Sequence, residues 1–161
     1  MNGEAEARAP TDAATPDRTL ATRLGYVGLV PLAVLTVWLA GIPVDHVWRA
    51  MTIRLLVAYA AIVLAFLGGT RWGAALGTGH PRAARDVALA VLPALLGWGV
   101  LFIPPAYAFV LLAVAFAALG AWDALAGQAG LLPQWLARLR AQLTAAAVVA
   151  MIVAFAATAA G

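Results

Sequence analysis

The chain is expected to be an all-α integral membrane bundle of five transmembrane helices, and three observations predict it. Hydrophobic residues make up 65% of its 161 residues and charged residues 11%, with a mean hydropathy of +0.94. That is too little charge to coat a soluble domain of this size. Second, residues 55–70, 87–122 and 143–161 carry no charge. Runs of about 18 apolar residues cross a hydrocarbon core of about 30 Å at about 1.5 Å per residue. Third, prolines, glycines and arginines punctuate those runs. One membrane domain over 19–161, with no separate soluble domain, accounts for all three.

The first 18 residues, MNGEAEARAPTDAATPDR, are small, polar and net acidic. They are expected to form a disordered tail. Glu4 and Glu6 oppose both a signal peptide and a mitochondrial presequence. The first helix is predicted over about 19–40, with Pro31 at mid-depth and a stop at "GIP". The second spans about 51–76. The third follows Pro81, covers about 83–103 and contains Pro93. The "IPP" break precedes a fourth helix over about 106–126, capped by Gly127. A fifth runs over about 133–159, and its opening "PQWLARLR" suits the interface. Proline within a span is tolerated where neighbouring helices re-satisfy the freed backbone groups.

All ten basic residues are arginines. Arg8, Arg18, Arg23, Arg71, Arg82, Arg85, Arg138 and Arg140 share one predicted face, and Arg49 and Arg54 the other. By the positive-inside rule the N-terminus is cytoplasmic and the C-terminus periplasmic. Abundant alanine and arginine without lysine point to a GC-rich bacterial genome, hence to a multi-pass protein of the bacterial cytoplasmic (inner) membrane. The sequence pI of about 10.2 thus reports topology, and no nucleic-acid partner is expected. Trp38, Trp48, Trp72, Trp122 and Trp135 fall near predicted helix ends, with Trp98 deeper.

Chemistry-bearing residues are sparse. Cysteine is absent, and His46 and His80 lie in loops on opposite faces, so no metal site, catalytic residue or cofactor is expected. No G-x-S-x-G, Walker or G-x-G-x-x-G pattern occurs. The expectation is a protein that is not an enzyme.

In the second helix, Ala61, Ala65, Gly69, Gly73 and Gly77 repeat every fourth position and form a candidate helix-packing groove. It could serve a contact inside the bundle, a dimer seam or a pore lining. Arg71 follows 16 uncharged residues after Arg54. It has three readings: an interfacial anchor, an intramembrane ion pair with Asp123, or a ligand for a substrate or headgroup. Tyr59, Gln142 and Thr144 are the other candidates for polar contacts. Arg82, Arg85 and Arg138, with Arg71 and Arg140, form a basic ring that could meet anionic lipid headgroups. The segments 58–77 and 106–127 echo one another, each followed by a proline and two arginines, although Ala/Leu-rich composition alone produces such echoes.

Four stretches carry a family resemblance: LGYVGLVPL (24–32), FLGGTRWG (66–73), LPALLGW (92–98) and LPQWLARLRAQLT (132–144). In this order and spacing they resemble the small multispanning membrane family of unknown function (domain of unknown function 3429) that includes eukaryotic transmembrane protein 69. The resemblance marks Gly68, Gly69, Trp72, Gly73, Pro133, Trp135, Arg140 and Thr144. In that family the residue before the tryptophan is often histidine. Here it is Arg71, which cannot do imidazole proton chemistry. The family implies a topology but no activity.

The expected role is therefore an accessory or assembly partner of a membrane complex. Its partners would be the lipid bilayer and a larger membrane protein complex, or a second copy through helix two. A small transporter or channel, or an anionic-lipid-binding protein, are the alternatives.

Overall fold

A computed structural model describes residues 18–77 and 83–159, and every regular element among them is helical. The tail expected over 1–18, apart from Arg18, and His80, Pro81 and Arg82 lie outside the described residues. The elements are α1 (Arg18–Gly41), α2 (Arg49–Gly77), α3 (Ala83–Leu89), α4 (Leu92–Gly99), α5 (Pro105–Gln128) and α6 (Gln134–Ala159). A 3-10 turn, Val100–Phe102, follows α4. Counting Ala83–Phe102 as one segment, five helices are long and apolar enough to cross a membrane.

The third segment is not the single helix expected over 83–103. Pro93 has no N–H, and its ring excludes the carbonyl four residues back. The Ala90 N–H still reaches the Asp86 carbonyl at 3.0 Å, but the Ala94 and Leu95 N–H groups both turn to Val91, at 3.1 and 3.2 Å. The ladder restarts there. Pro31, by contrast, sits inside an unbroken α1.

The broken segment lies against α2 at two glycines. A Cβ on Gly68 would stand 2.8 Å from the Pro93 Cβ. One on Gly97 would stand 2.8 Å from the Ala61 carbonyl oxygen. Without a hydrophobic force between helices in lipid, such close backbone approach is the main source of packing energy.

α5 and α6 form the other tight pair. A Cβ on Gly120 would meet the Thr144 Oγ1 at 2.6 Å, and one on Gly127 the Ala137 Cβ at 2.7 Å. Gly127 was the expected cap of α5. The helix instead runs one residue beyond it, and Gly130 takes the left-handed conformation at φ 72°. There the Leu131 N–H closes onto the Ala126 carbonyl at 2.9 Å. Gly127 is needed for its lack of a side chain against α6, and Gly130 for its backbone freedom.

Leu56, Ala60 and Leu64 of α2, Phe109, Leu112 and Phe116 of α5, Met151 of α6 and Leu32 of α1 fill the core. Three polar links tie α1, α2 and α6 around it. The Tyr59 hydroxyl donates to the Gly28 carbonyl (2.6 Å), and the Tyr26 hydroxyl to Gln142 Oε1 (2.8 Å). Arg49 donates to the Ala157 carbonyl at 2.6 Å and the Ile42 carbonyl at 3.2 Å. Arg18 lies over the Trp135 ring at 5.7 Å. These contacts place the start of α1 beside the start of α6, and the end of α6 beside the start of α2.

Candidate functional site: a buried arginine–aspartate–arginine centre

Arg71, Asp123 and Arg140 stand six, five and six residues from the nearest ends of α2, α5 and α6. That is roughly one and a half turns inside the same end of the bundle, about 8–9 Å. A charge at this depth, enclosed by helices, needs a counter-charge. Asp123 is 0% exposed, Arg140 6% and Arg71 8%.

The two arginines contact Asp123 differently. Arg140 Nε donates to Asp123 Oδ2 at 2.6 Å. Its other nitrogens donate to the Thr70 hydroxyl and, at 3.0 Å, to the Leu67 carbonyl. The Thr70 hydroxyl in turn donates to the Leu67 carbonyl at 2.8 Å. One guanidinium thereby joins α2, α5 and α6. Arg71 Nε stands 3.5 Å from Asp123 Oδ1, and that oxygen accepts no hydrogen bond. The Arg71 guanidinium lies over the Trp122 ring, 4.3 Å from its centroid, where the ring face attracts a cation. Asp86 on α3 adds a further attraction to Arg71.

Arg71 therefore turns inward and does not extend outward as an interfacial anchor. Two cations share the one carboxylate inside the centre, and Asp86 acts on Arg71 from α3. Its chemistry is recognition and tethering. Among the described residues, no three His, Cys, Asp or Glu side chains could hold a metal ion.

The small-residue stripe is not one continuous groove. A step of four residues overshoots a helical turn by about 40°, so the stripe winds by about 160° from Ala61 to Gly77. Ala61 is buried against Gly97 and Ala65 is half-buried. Gly69, Gly73 and Gly77 are exposed, and a Cβ on any of them would meet nothing within 4 Å. The inward face of α2 instead carries Ala61, Leu64, Gly68, Arg71 and Ala75.

The positions marked by resemblance also divide. Gly68, Arg140 and Thr144 are buried, whereas Gly69, Trp72, Gly73 and Pro133 are exposed and Trp135 is half-buried. The Thr144 hydroxyl donates to the Arg140 carbonyl at 2.8 Å and supports the turn that carries Arg140. Arg85 and Arg138 of the basic ring are exposed.

Sequence reasoning placed Arg140 in that outer ring and missed it as the closer partner of Asp123. A signal was present. Arg138 and Arg140 are two residues apart and so about 200° apart around one helix. Only one of them can face outward.

Residues 18–156 match the model of a family described as "Protein of unknown function (DUF3429)". The chain matches no curated protein and no solved structure.

Proposed function

The chain belongs to the DUF3429 family of proteins of unknown function, and from that premise we propose that it is a non-enzymatic accessory or assembly partner in a bacterial inner membrane. The partner would be a transmembrane helix of another membrane protein, seated on the outward glycine face of α2. One observation carries this reading. The polar centre lies on the inward face of α2 at one end of the bundle, while Gly69, Gly73 and Gly77 of the same helix stand open. Open glycines permit a close helix–helix approach that no contact within the described chain uses.

The middle layer supports the same reading. It is filled by Leu56, Ala60, Leu64, Leu112, Phe116 and Met151. A transporter would need ionisable or water-lined groups at that depth. In the proposed orientation the arginine-rich end faces the cytoplasm, as the positive-inside rule requires. Kinship with transmembrane protein 69, drawn from the FLGGTRWG and LPQWLARLRAQLT stretches, is part of the proposal. A C-terminal reporter active only outside the cytoplasm should then be active.

The deciding experiment is photo-crosslinking in cells from a probe at Gly73, with Val37 on the lipid-facing side of α1 as the control. One discrete heteromeric product from Gly73, lost on Gly69→Leu, is expected. A product of twice the chain's mass would replace the partner by a second copy. A lone monomer in mild detergent, with no product from Gly69, Gly73 or Gly77, would sink the reading.

A further inference from the structure

A second feature lies on the opposite side of Arg71 from that glycine face and does not depend on the partner reading. Where Pro93 breaks the third segment, α3 and α4 leave an apolar crevice of about 190 Å³ against α2 and α5. Leu64 and Ala115 line its deep end, Pro93 and Leu96 its side, and Leu89 and Trp122 its shallow end. From Ala115 to Trp122 is two turns of α5, about 10 Å. Leu92, Leu96 and Ala118 on its lining are exposed, so it opens to the membrane.

The shallow end of this crevice is the indole that carries Arg71. Arg71 donates no hydrogen bond to any described residue, and its counter-charge is shared with Arg140. The whole end is electropositive: among the described residues it holds Arg18, Arg23, Arg71, Arg85, Arg138 and Arg140 against Asp86 and Asp123. α2 has 29 residues. At about 43 Å it overruns a hydrocarbon core of about 30 Å, which puts Arg71 close to the headgroup boundary.

We propose that the crevice between α2, α3–α4 and α5 holds the headgroup-proximal part of one acyl chain of an anionic phospholipid, whose phosphate sits on Arg71 beside Trp122. A phosphodiester carries one negative charge, and the end it would meet holds six arginines against two aspartates among the described residues. The phosphate oxygens suit the guanidinium fork. The second chain remains in the bilayer along the exposed side of α4. Basic pockets between membrane helices accept anionic headgroups in this way.

The test is native mass spectrometry of the purified full chain, with phosphatidylglycerol and phosphatidylcholine added back in equal amounts. Phosphatidylglycerol adducts should exceed phosphatidylcholine adducts by at least about five-fold, the factor that one arginine near the surface supplies. Ala118→Leu narrows the crevice at a residue that makes no contact with Asp123 or either arginine in the structure, and should bring the ratio close to one. Arg71→Gln should do the same; where it does not fold, Ala118→Leu decides. Equal adducts of both lipids, no adducts, or a ratio unchanged by Ala118→Leu would overturn the proposal. So would oleate adducts that displace phosphatidylglycerol, because the occupant would then be a free carboxylate amphiphile.

Discussion

The two ends of the bundle both use arginine, and they use it differently. At one end Arg71 and Arg140 converge on the wholly buried Asp123. At the other, half-buried Arg49 donates to two backbone carbonyls, Ile42 and Ala157, at the ends of α1 and α6. The first arrangement exchanges charge for charge inside the protein. The second exchanges water for carbonyl oxygen near the surface. The same side chain therefore has a different energetic meaning at each end, because an unpaired buried charge is far more costly than an unpaired group that water can reach.

Three substitutions rank that difference. Asp123→Asn leaves two buried arginines without a carboxylate and should destabilise the bundle by about 3–5 kcal/mol in a mixed-micelle unfolding titration. A double-mutant cycle sharpens the point. Coupling of Asp123→Asn with Arg140→Gln should exceed its coupling with Arg71→Gln, since the first pair is a direct hydrogen bond at 2.6 Å and the second a 3.5 Å contact. Equal couplings would mean that Asp123 does not distinguish its two partners.

Gly97→Val, a packing lesion with no charge involved, should rank second. Its Cβ would stand 2.8 Å from the Ala61 backbone, and such overpacking costs about 1–3 kcal/mol. Cross-linking between cysteines introduced in α2 and α4 should weaken in parallel, as the two helices are pushed apart.

Smallest of the three is Arg49→Gln, at about 1–1.5 kcal/mol in the same titration, because the freed carbonyls lie near water. Faster hydrogen exchange confined to the last turn of α6 should accompany it. A loss as large as that of Asp123→Asn would break the comparison and make the Arg49 clamp an equal support of the fold.

The helices were legible because their signal is one-dimensional. Uncharged runs, proline breaks and arginine boundaries placed α1, α2, α5 and α6 to within about two residues. The exceptions are local. Pro93 reads as a kink in a span, yet whether the helix bends or restarts depends on what lies opposite. Here Gly68 admits the proline ring and a restart packs well. At Gly127 and Gly130 two glycines stood three apart, and the sequence could not say which faced α6 and which turned the chain.

The centre was half legible. Arg71 and Asp123 are isolated charges in apolar text, and isolation made their pairing one of three readings, beside an interfacial anchor and a ligand site. Arg140 sits among loop-proximal arginines and looks like one of them. Thr70 and the Leu67 carbonyl, which complete its coordination, carry no mark in the sequence beyond their nearness to Arg71.

Composition, run length and the placement of arginine thus determined by themselves that the chain is a helical bundle of five apolar spans. Transfer from water to lipid depends on how many apolar residues follow one another and not on which neighbour they meet. Only the tertiary structure decided which face of α2 is inner and which arginine Asp123 holds closest. It also decided that three of the five small residues in the stripe, Gly69, Gly73 and Gly77, stand open. Those outcomes depend on how each helix is rotated about its axis, and that rotation is set by close packing between spans far apart in the chain.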